Sequence, residues 1–348
     1  MNDCFDRQKT ERSSCTHAQK WIQMQEDLGR APNTVAAYRR ALEDYLAFCS
    51  RQALLPEAVK REDIARYVRD LASRPSPRGQ VVRVLDSGTG LANATMLQRL
   101  TVVRLFYDYL MEENLRPDNP VGRGRYTPRT GFSGARERGL IPQYQKLPWL
   151  PNEEQWQAVL EATKQEPLRN RMMFALAYDA GLRREELCTL STSDIDPAHC
   201  LLHIRAEHTK GRRARVVPYS ETTSALYVAY LHHRRELSRE RGPLFLSESR
   251  RNHACPISIW TWSKVIEGIA DRSAVSQFTT HTLRHLCLTD LARANWDLHE
   301  IATFAGHRNP QSTLLYIHLS GRDLAKKLEQ GMAAIHTWRA QMMAEVLQ

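Results

Sequence analysis

The sequence predicts a mainly α protein with a small β-sheet, divided into a helical N-terminal domain and an α+β C-terminal domain. Three observations carry this. Apolar residues recur at spacings of three and four through most of the chain, the period of helices with one buried face. Only two short runs, Leu201–Arg205 and Arg215–Val217, read as strands, and they flank a turn. The 348 residues exceed one typical domain, and a basic stretch with frequent Gly and Pro separates two periodic halves.

Residues 1–14 read as a polar N-terminal tail, and a helical domain is expected over 15–118. Val35, Tyr38, Leu42, Tyr45 and Cys49 mark a helix starting at Asn33 or Thr34, either of which would cap it. Ile64, Tyr67, Val68 and Leu71 mark a second helix. Leu97, Leu100, Val103, Tyr107 and Leu110 mark a third, stopping before Arg116-Pro117. A basic linker is expected over 119–148. From residue 116 on, this stretch holds Arg116, Arg123, Arg125, Arg129, Arg136, Arg138 and Lys146 against Asp118 and Glu137. Such a stretch is a solvated connector, or a strand laid along a nucleic-acid backbone.

The second domain is expected over 149–330. Leu168, Met172, Met173, Leu176 and Ala180 form one helix stripe, with Gly181 as the residue that ends it. A short helix over 184–190 precedes the two strands and their basic turn, His208-Thr209-Lys210-Gly211-Arg212-Arg213. Further helices are expected over 224–239, 258–270, 283–294, 298–304 and 310–317. A C-terminal amphipathic helix over 331–348 continues a stripe of Leu328, Met332, Ile335, Trp338 and Met342.

Composition narrows the function. The 49 basic residues outweigh 39 acidic ones for a net charge of +10, which favours a polyanionic partner. No apolar run reaches the roughly 18 residues of a membrane span, and Met1–Lys20 lacks a signal-peptide core. A soluble cytoplasmic protein is therefore expected. The 7 cysteines form no CxxC pair, which disfavours a zinc ribbon and a disulfide scaffold.

Five places in the second domain carry reactive side chains. Arg183 follows the helix-ending Gly181. Lys210 is the one lysine of the basic turn, and lysine can give up a proton where arginine cannot. His281, Arg284 and His285 share a helix face. His281-x-x-x-His285 has metal-ligand spacing, but the metalloprotease Glu is absent and an arginine between the histidines repels a cation. His307 follows Gly306, and Tyr316 lies nine residues further on. Each alone has an ordinary structural explanation.

Together, the order Arg183, Lys210, His281-x-x-Arg284, His307, Tyr316 resembles the catalytic pattern of the tyrosine recombinase (phage integrase) family. The local text agrees: Gly-Leu-Arg-x-x-Glu-Leu from Gly181, Thr-Lys-Gly from Thr209, His-x-Leu-Arg-His from His281, and Gly306-His307. The resemblance covers roughly residues 150–327. The N-terminal helices are similar in kind to the family's SAM-like core-binding domain. Three departures are visible: Ala305 stands where leucine is usual, Leu286-Cys287 replaces small polar residues, and the hairpin has Arg212 and Arg213 where lysines are frequent, which leaves Lys210 as the assignment.

The resemblance implies a role for each position. Tyr316 would attack the scissile phosphate and form a 3′-phosphotyrosyl link. Arg183 and Arg284 would hold the nonbridging oxygens, and Lys210 would protonate the 5′-oxygen. His281 would act as general base near Tyr316, and His307 would donate a hydrogen bond to the phosphate. It also implies a clamp around double-stranded DNA at specific sites, a tetramer on two such sites, a possible accessory bending or directionality factor, and neither metal nor cofactor. Integration or transposition of a mobile genetic element is the expected job. Xer-type dimer resolution is the alternative, and a type IB topoisomerase-like nicking enzyme a further one.

Overall fold

The computed structural model describes residues 16–74, 91–122, 140–141, 147–209, 211–309 and 311–318, with 337, 339, 342 and 343. The chain divides into two compact units, Met1–Gln145 and Lys146–Gln348.

The first unit is helical among its described residues: α1 over 16–27, α2 (Pro32–Arg51), α3 (Arg61–Ser73) and α4 (Asn93–Glu112). Helix α1 was not among the helices expected from sequence. It contributes Ala18, Trp21 and Ile22 to the core, and Trp21 stacks on Tyr38 of α2. Helix α2 begins at Pro32 rather than at an Asn33 or Thr34 cap. Proline suits the first helical turn because its missing N–H would have had no partner there. The core is tyrosine-rich. The Tyr45 and Tyr107 hydroxyls lie 2.6 Å apart, and Tyr107 donates to the Pro56 carbonyl.

Arg116, counted above with the basic connector, belongs to this core. Its guanidinium donates to the carbonyls of Pro56, Glu57, Val59 and Asp118. Val121 and Ile141 are buried in the same cluster. The other connector cations, Arg123, Arg125, Arg129, Arg136, Arg138 and Lys146, lie outside the described residues.

In the second unit, α5 (Glu153–Lys164), which the sequence reading passed over, and α6 (Leu168–Asp179) precede the short α7 (Arg184–Cys188). Asn152 caps α5 by accepting from the Gln155 amide. Strands β1 (Ile195–Asp196), β2 (Leu201–Ile204) and β3 (Arg215–Pro218) form an antiparallel sheet in that order. Leu202 faces Ile195 and Val217, and all three are buried, whereas the His203–Val216 pair faces solvent. This alternation sets the register, since a slip by one residue would expose the apolar set.

Then follow α8 (Glu221–Leu237), α9 (Ile259–Arg272), α10 (Thr280–Arg293), α11 (Leu298–Ala305) and α12 (Gln311–His318). Helix α10 packs on α6, α11 and α12. Its buried Leu283, Cys287 and Leu288 lie in the central cluster with Met172, Leu176, Ile301 and Phe304. Of the C-terminal stripe, Leu328, Met332, Ile335 and Trp338 lie outside the described residues, and Met342 is helical and exposed. No helix among the described residues is long and apolar enough to cross a membrane.

Candidate active site

Two helix ends and two helix faces build the site. Gly181 ends α6 in the left-handed region at φ +54, and the Leu182 amide donates to the Ala177 carbonyl, closing the last turn. A Cβ there would meet Phe304 at 3.2 Å and Cys287 at 3.3 Å, so glycine serves both conformation and packing. The chain then turns Arg183 to the N-cap position of α7. Glu186, in the first turn of α7, accepts from the Arg183 backbone amide at 3.0 Å and from its guanidinium at 2.8 Å.

The second helix end is that of α11. Gly306, at φ +63, reverses the chain so that the His307 amide donates to the Ala302 carbonyl. This presents the His307 ring to α10 on one side and α12 on the other. Its Nε2 lies 3.0 Å from an Arg284 nitrogen and its Nδ1 lies 2.8 Å from the Thr313 hydroxyl. A guanidinium only donates, so Nε2 accepts and the ring proton sits on Nδ1, pointing at Thr313. His307 is thus held neutral. Burial, with Arg284 and Arg183 nearby, pushes its pKa down to about 4.

Arg284 projects from α10 into the same space and is 4% exposed. It donates to the carbonyls of Gly181 and Ala305, one from each glycine-ended turn. One guanidinium therefore ties the Arg183 loop to the His307 loop. Burial and the neighbouring Arg183 lower its pKa to about 10, which still leaves it charged at neutral pH.

Tyr316 lies three residues after Thr313 on α12, hence on the same helix face. It is 4% exposed, and its hydroxyl sits 2.9 Å from Nδ1 of His285. Its ring stacks on that of His307, with centroids 6.1 Å apart. Burial raises the phenol pKa, while Arg284 and Arg183 pull it down, with a net rise. The hydroxyl therefore keeps its proton and donates to His285. The His285 ring is neutral in turn, its pKa lowered to about 4 by burial and by the cations of its surroundings.

Arg183, His281, Arg284, His307 and Tyr316 thus gather around the C-terminal ends of α6 and α11. Lys210 lies outside the described residues; its neighbour Gly211 lies beside Arg308, where an added Cβ would meet the Arg308 Cγ at 3.4 Å. His281, one helical turn before His285, is exposed, and its ring centroid is 6.4 Å from that of His285. The imidazole within hydrogen-bond distance of the phenol is that of His285, which the sequence placed on the same face without a role.

Two further residues, Thr313 and Arg215, escaped sequence reasoning, and Glu186, the glutamate of the Gly-Leu-Arg-x-x-Glu-Leu text, was given no role. Glu186 is fully buried and accepts from Arg183 and Arg215; Thr313 orients His307. Thr313 is an ordinary helix residue by pattern. Arg215 is one of many arginines near the turn, and no local signal separates it from them. No group of three or more metal-ligating side chains is found among the described residues.

A phenol beside two guanidiniums and two imidazoles suits phosphoryl transfer onto a protein oxygen. Comparison with known proteins agrees. The phage integrase family matches residues 150–322, and the phage integrase N-terminal SAM-like domain matches residues 19–114. The chain belongs to the phage integrase family of tyrosine recombinases, enzymes that cleave and rejoin DNA strands. It is 28% identical over 310 residues to tyrosine recombinase XerD of Caulobacter vibrioides, covering 85% of this chain and 88% of that one. It is 25% identical over 331 residues to transposase A of transposon Tn554 from Staphylococcus aureus, covering 89% of both. The fold is also that of the XerH recombinase in a post-cleavage complex with its palindromic difH substrate, with a TM-score of 0.66, 17% identity and 94% and 88% coverage.

Proposed function

We propose that this chain cuts and rejoins duplex DNA at a specific site with Tyr316 as the nucleophile. The observation that carries this is the buried Tyr316 hydroxyl, hydrogen-bonded to His285 on a helix that also bears the buried Arg284. A phosphodiester is anionic, and attack adds negative charge to its nonbridging oxygens. Arg183 and Arg284 offset that charge, and each such donor contributes about 2.7–4 kcal/mol to the transition state.

The Tyr316 oxygen forms a bond to phosphorus as its proton passes to a histidine. His285 is the nearest acceptor, and His281 is the next imidazole outward. The bond from phosphorus to the 5′-oxygen breaks, and Lys210 supplies the proton that the departing alkoxide needs. The phosphotyrosyl link conserves the energy of the broken bond, so a 5′-hydroxyl from another strand reverses the step without a nucleotide. His307 has no proton on Nε2 in the present arrangement. It becomes a phosphate donor by gaining one, a change favoured once an anion lies beside Arg284 and reduces the positive charge around the ring.

The biological task we infer is that of a mobile-element integrase or transposase. Near-full-length similarity to a transposon's transposase supports it, as does the text Tyr316-Ile317-His318-Leu319-Ser320. Xer-type dimer resolution is the second reading, favoured by the similarity to XerD. In either case we expect action in the cytoplasm on nucleoid DNA, a tetramer joining two sites, and an accessory bending or directionality factor in the integrative case. The stripe over 328–342 is the segment we assign to docking between subunits.

The test is a nicked duplex carrying the site that the full chain selects from random-sequence DNA. The wild-type chain should become covalently joined to it, and Tyr316→Phe should not. An adduct formed by Tyr316→Phe, or none formed by the wild type, overturns the assignment.

A further inference from the structure

Glu186 poses an electrostatic problem for the reaction just described. It is a fully buried carboxylate, and it touches Arg183, a guanidinium assigned to the phosphate. A carboxylate alone beside Arg183 would cancel the charge that the phosphate requires and hold the fork turned inward. Arg215 resolves this. From β3 its Nη1 and Nη2 reach the two Glu186 oxygens at 3.1 and 2.8 Å, a bidentate pair whose side chains are 6% and 1% exposed. Arg183 is the more open partner, at 21%.

We propose that Arg215 is a positioning residue for strand cleavage: by neutralising Glu186 it leaves the charge of Arg183 free for the scissile phosphate. The inference rests on the strand-transfer reading above. Two further contacts fit it. The Arg215 Nε donates to the Phe304 carbonyl at 2.9 Å, linking the end of the Lys210 hairpin to the turn that carries His307. Gly306 in that turn would bring an added Cβ within 3.0 Å of the Arg215 Nη1, so the turn leaves room for this guanidinium. Of Arg183, Arg215 and Arg284 in this cluster, Arg183 and Arg215 bind the Glu186 carboxylate, which they hold at a pKa of about 2 against the opposing effect of burial. One positive charge is spent on Glu186, and the other two remain for an anion.

Charge balance predicts a signature that loss of packing does not. Arg215→Gln should slow adduct formation on the nicked duplex by about 100-fold, the scale for one lost electrostatic donor, with DNA affinity changed less than about threefold. Adding Glu186→Gln to Arg215→Gln removes the unbalanced carboxylate and should recover at least about tenfold of that rate. Arg215→Lys keeps the charge and should stay within about tenfold of the wild type. A double variant as slow as Arg215→Gln, or an Arg215→Gln with the wild-type rate, overturns the inference. If Arg215→Gln fails to fold, Arg215→Lys decides, and a loss beyond about 100-fold refutes charge balance. Tyr316→Phe is run alongside: an adduct there sinks the strand-transfer reading itself, whereas a rate failure confined to the Arg215 variants leaves that reading standing.

Discussion

Each half of the molecule sets an arginine near buried tyrosines, to opposite ends. In the N-terminal unit, Arg116 lies over the Tyr107 ring at 5.1 Å and spends its donors on four backbone carbonyls. The Tyr45 hydroxyl donates to that of Tyr107, which donates in turn to the Pro56 carbonyl. In the C-terminal unit, the Arg183 guanidinium donates to Glu186, and the Tyr316 hydroxyl faces a neutral imidazole able to take its proton. Burial of these residue types therefore does not distinguish scaffold from site. Spent donors do not distinguish them alone either, since Arg284 gives its own to the Gly181 and Ala305 carbonyls and to His307; what marks the site is the half-open Arg183 guanidinium and a phenol facing a proton acceptor.

The largest test of this contrast pairs two tyrosines. Tyr316→Phe should abolish the covalent adduct while the fold survives, because the change removes one hydroxyl and keeps the ring packing. Tyr107→Phe should leave the cleavage rate per folded molecule unchanged. Next come the histidines. His285→Ala should slow adduct formation by about 10²–10⁴-fold, the range for a positioned proton acceptor. His281→Ala should slow it less; the reverse order would return the base to His281. The arginines follow. Arg183→Ala should lower the cleavage rate by about 10²–10³-fold with little shift in melting temperature. Arg116→Ala should destabilise the chain by about 2–4 kcal/mol, since each abandoned buried carbonyl costs roughly 1–3 kcal/mol, and leave the rate of the folded fraction unaltered. Denaturant unfolding and single-turnover cleavage, measured on the same preparations, separate these outcomes.

A smaller effect concerns pH. His285 and His307 titrate near 4 in the folded chain against 6.5 in their unperturbed state. Between these values the unfolded chain binds more protons, so stability should rise with pH across that window and fall as pH drops through it. Replacing His307 by Gln should flatten the dependence of melting temperature on pH between about 4 and 6.5. An unchanged slope would mean that the ring is already charged in the folded state. Tyr107→Phe should also lower stability, by about 1–3 kcal/mol, because it removes two buried hydrogen bonds, to the Tyr45 hydroxyl and to the Pro56 carbonyl.

Much of the molecule is legible along the chain. The stripes at Val35–Cys49 and Leu97–Leu110 fall within α2 and α4, and that at Leu168–Ala180 runs along α6 to its C-cap. Both expected strands are present, and Gly181 ends its helix as read. What escaped has physical causes. Helix α1 has a mixed, largely polar surface, and its apolar residues gain meaning only against Tyr38 and Phe106. Strand β1 is two residues long, too short to show alternation, and exists through pairing with β2. Arg116 reads as a surface cation because nothing nearby in sequence announces the carbonyls of Pro56 to Val59 that receive it.

By itself the sequence determined the helical period, the glycines that end α6 and α11, and the order of reactive residues that leads to the family. These are local properties, set by the spacing of apolar side chains and by conformations that glycine adopts without strain. The tertiary structure alone decided which imidazole meets the phenol. His281 and His285 lie a turn apart on one face of α10, and only the placement of α12 brings the Tyr316 oxygen to the second. It likewise decided that Glu186 answers to Arg215, which follows it by 29 residues. Long polar side chains can reach many partners, and the one each finds depends on packing between elements that no local pattern encodes.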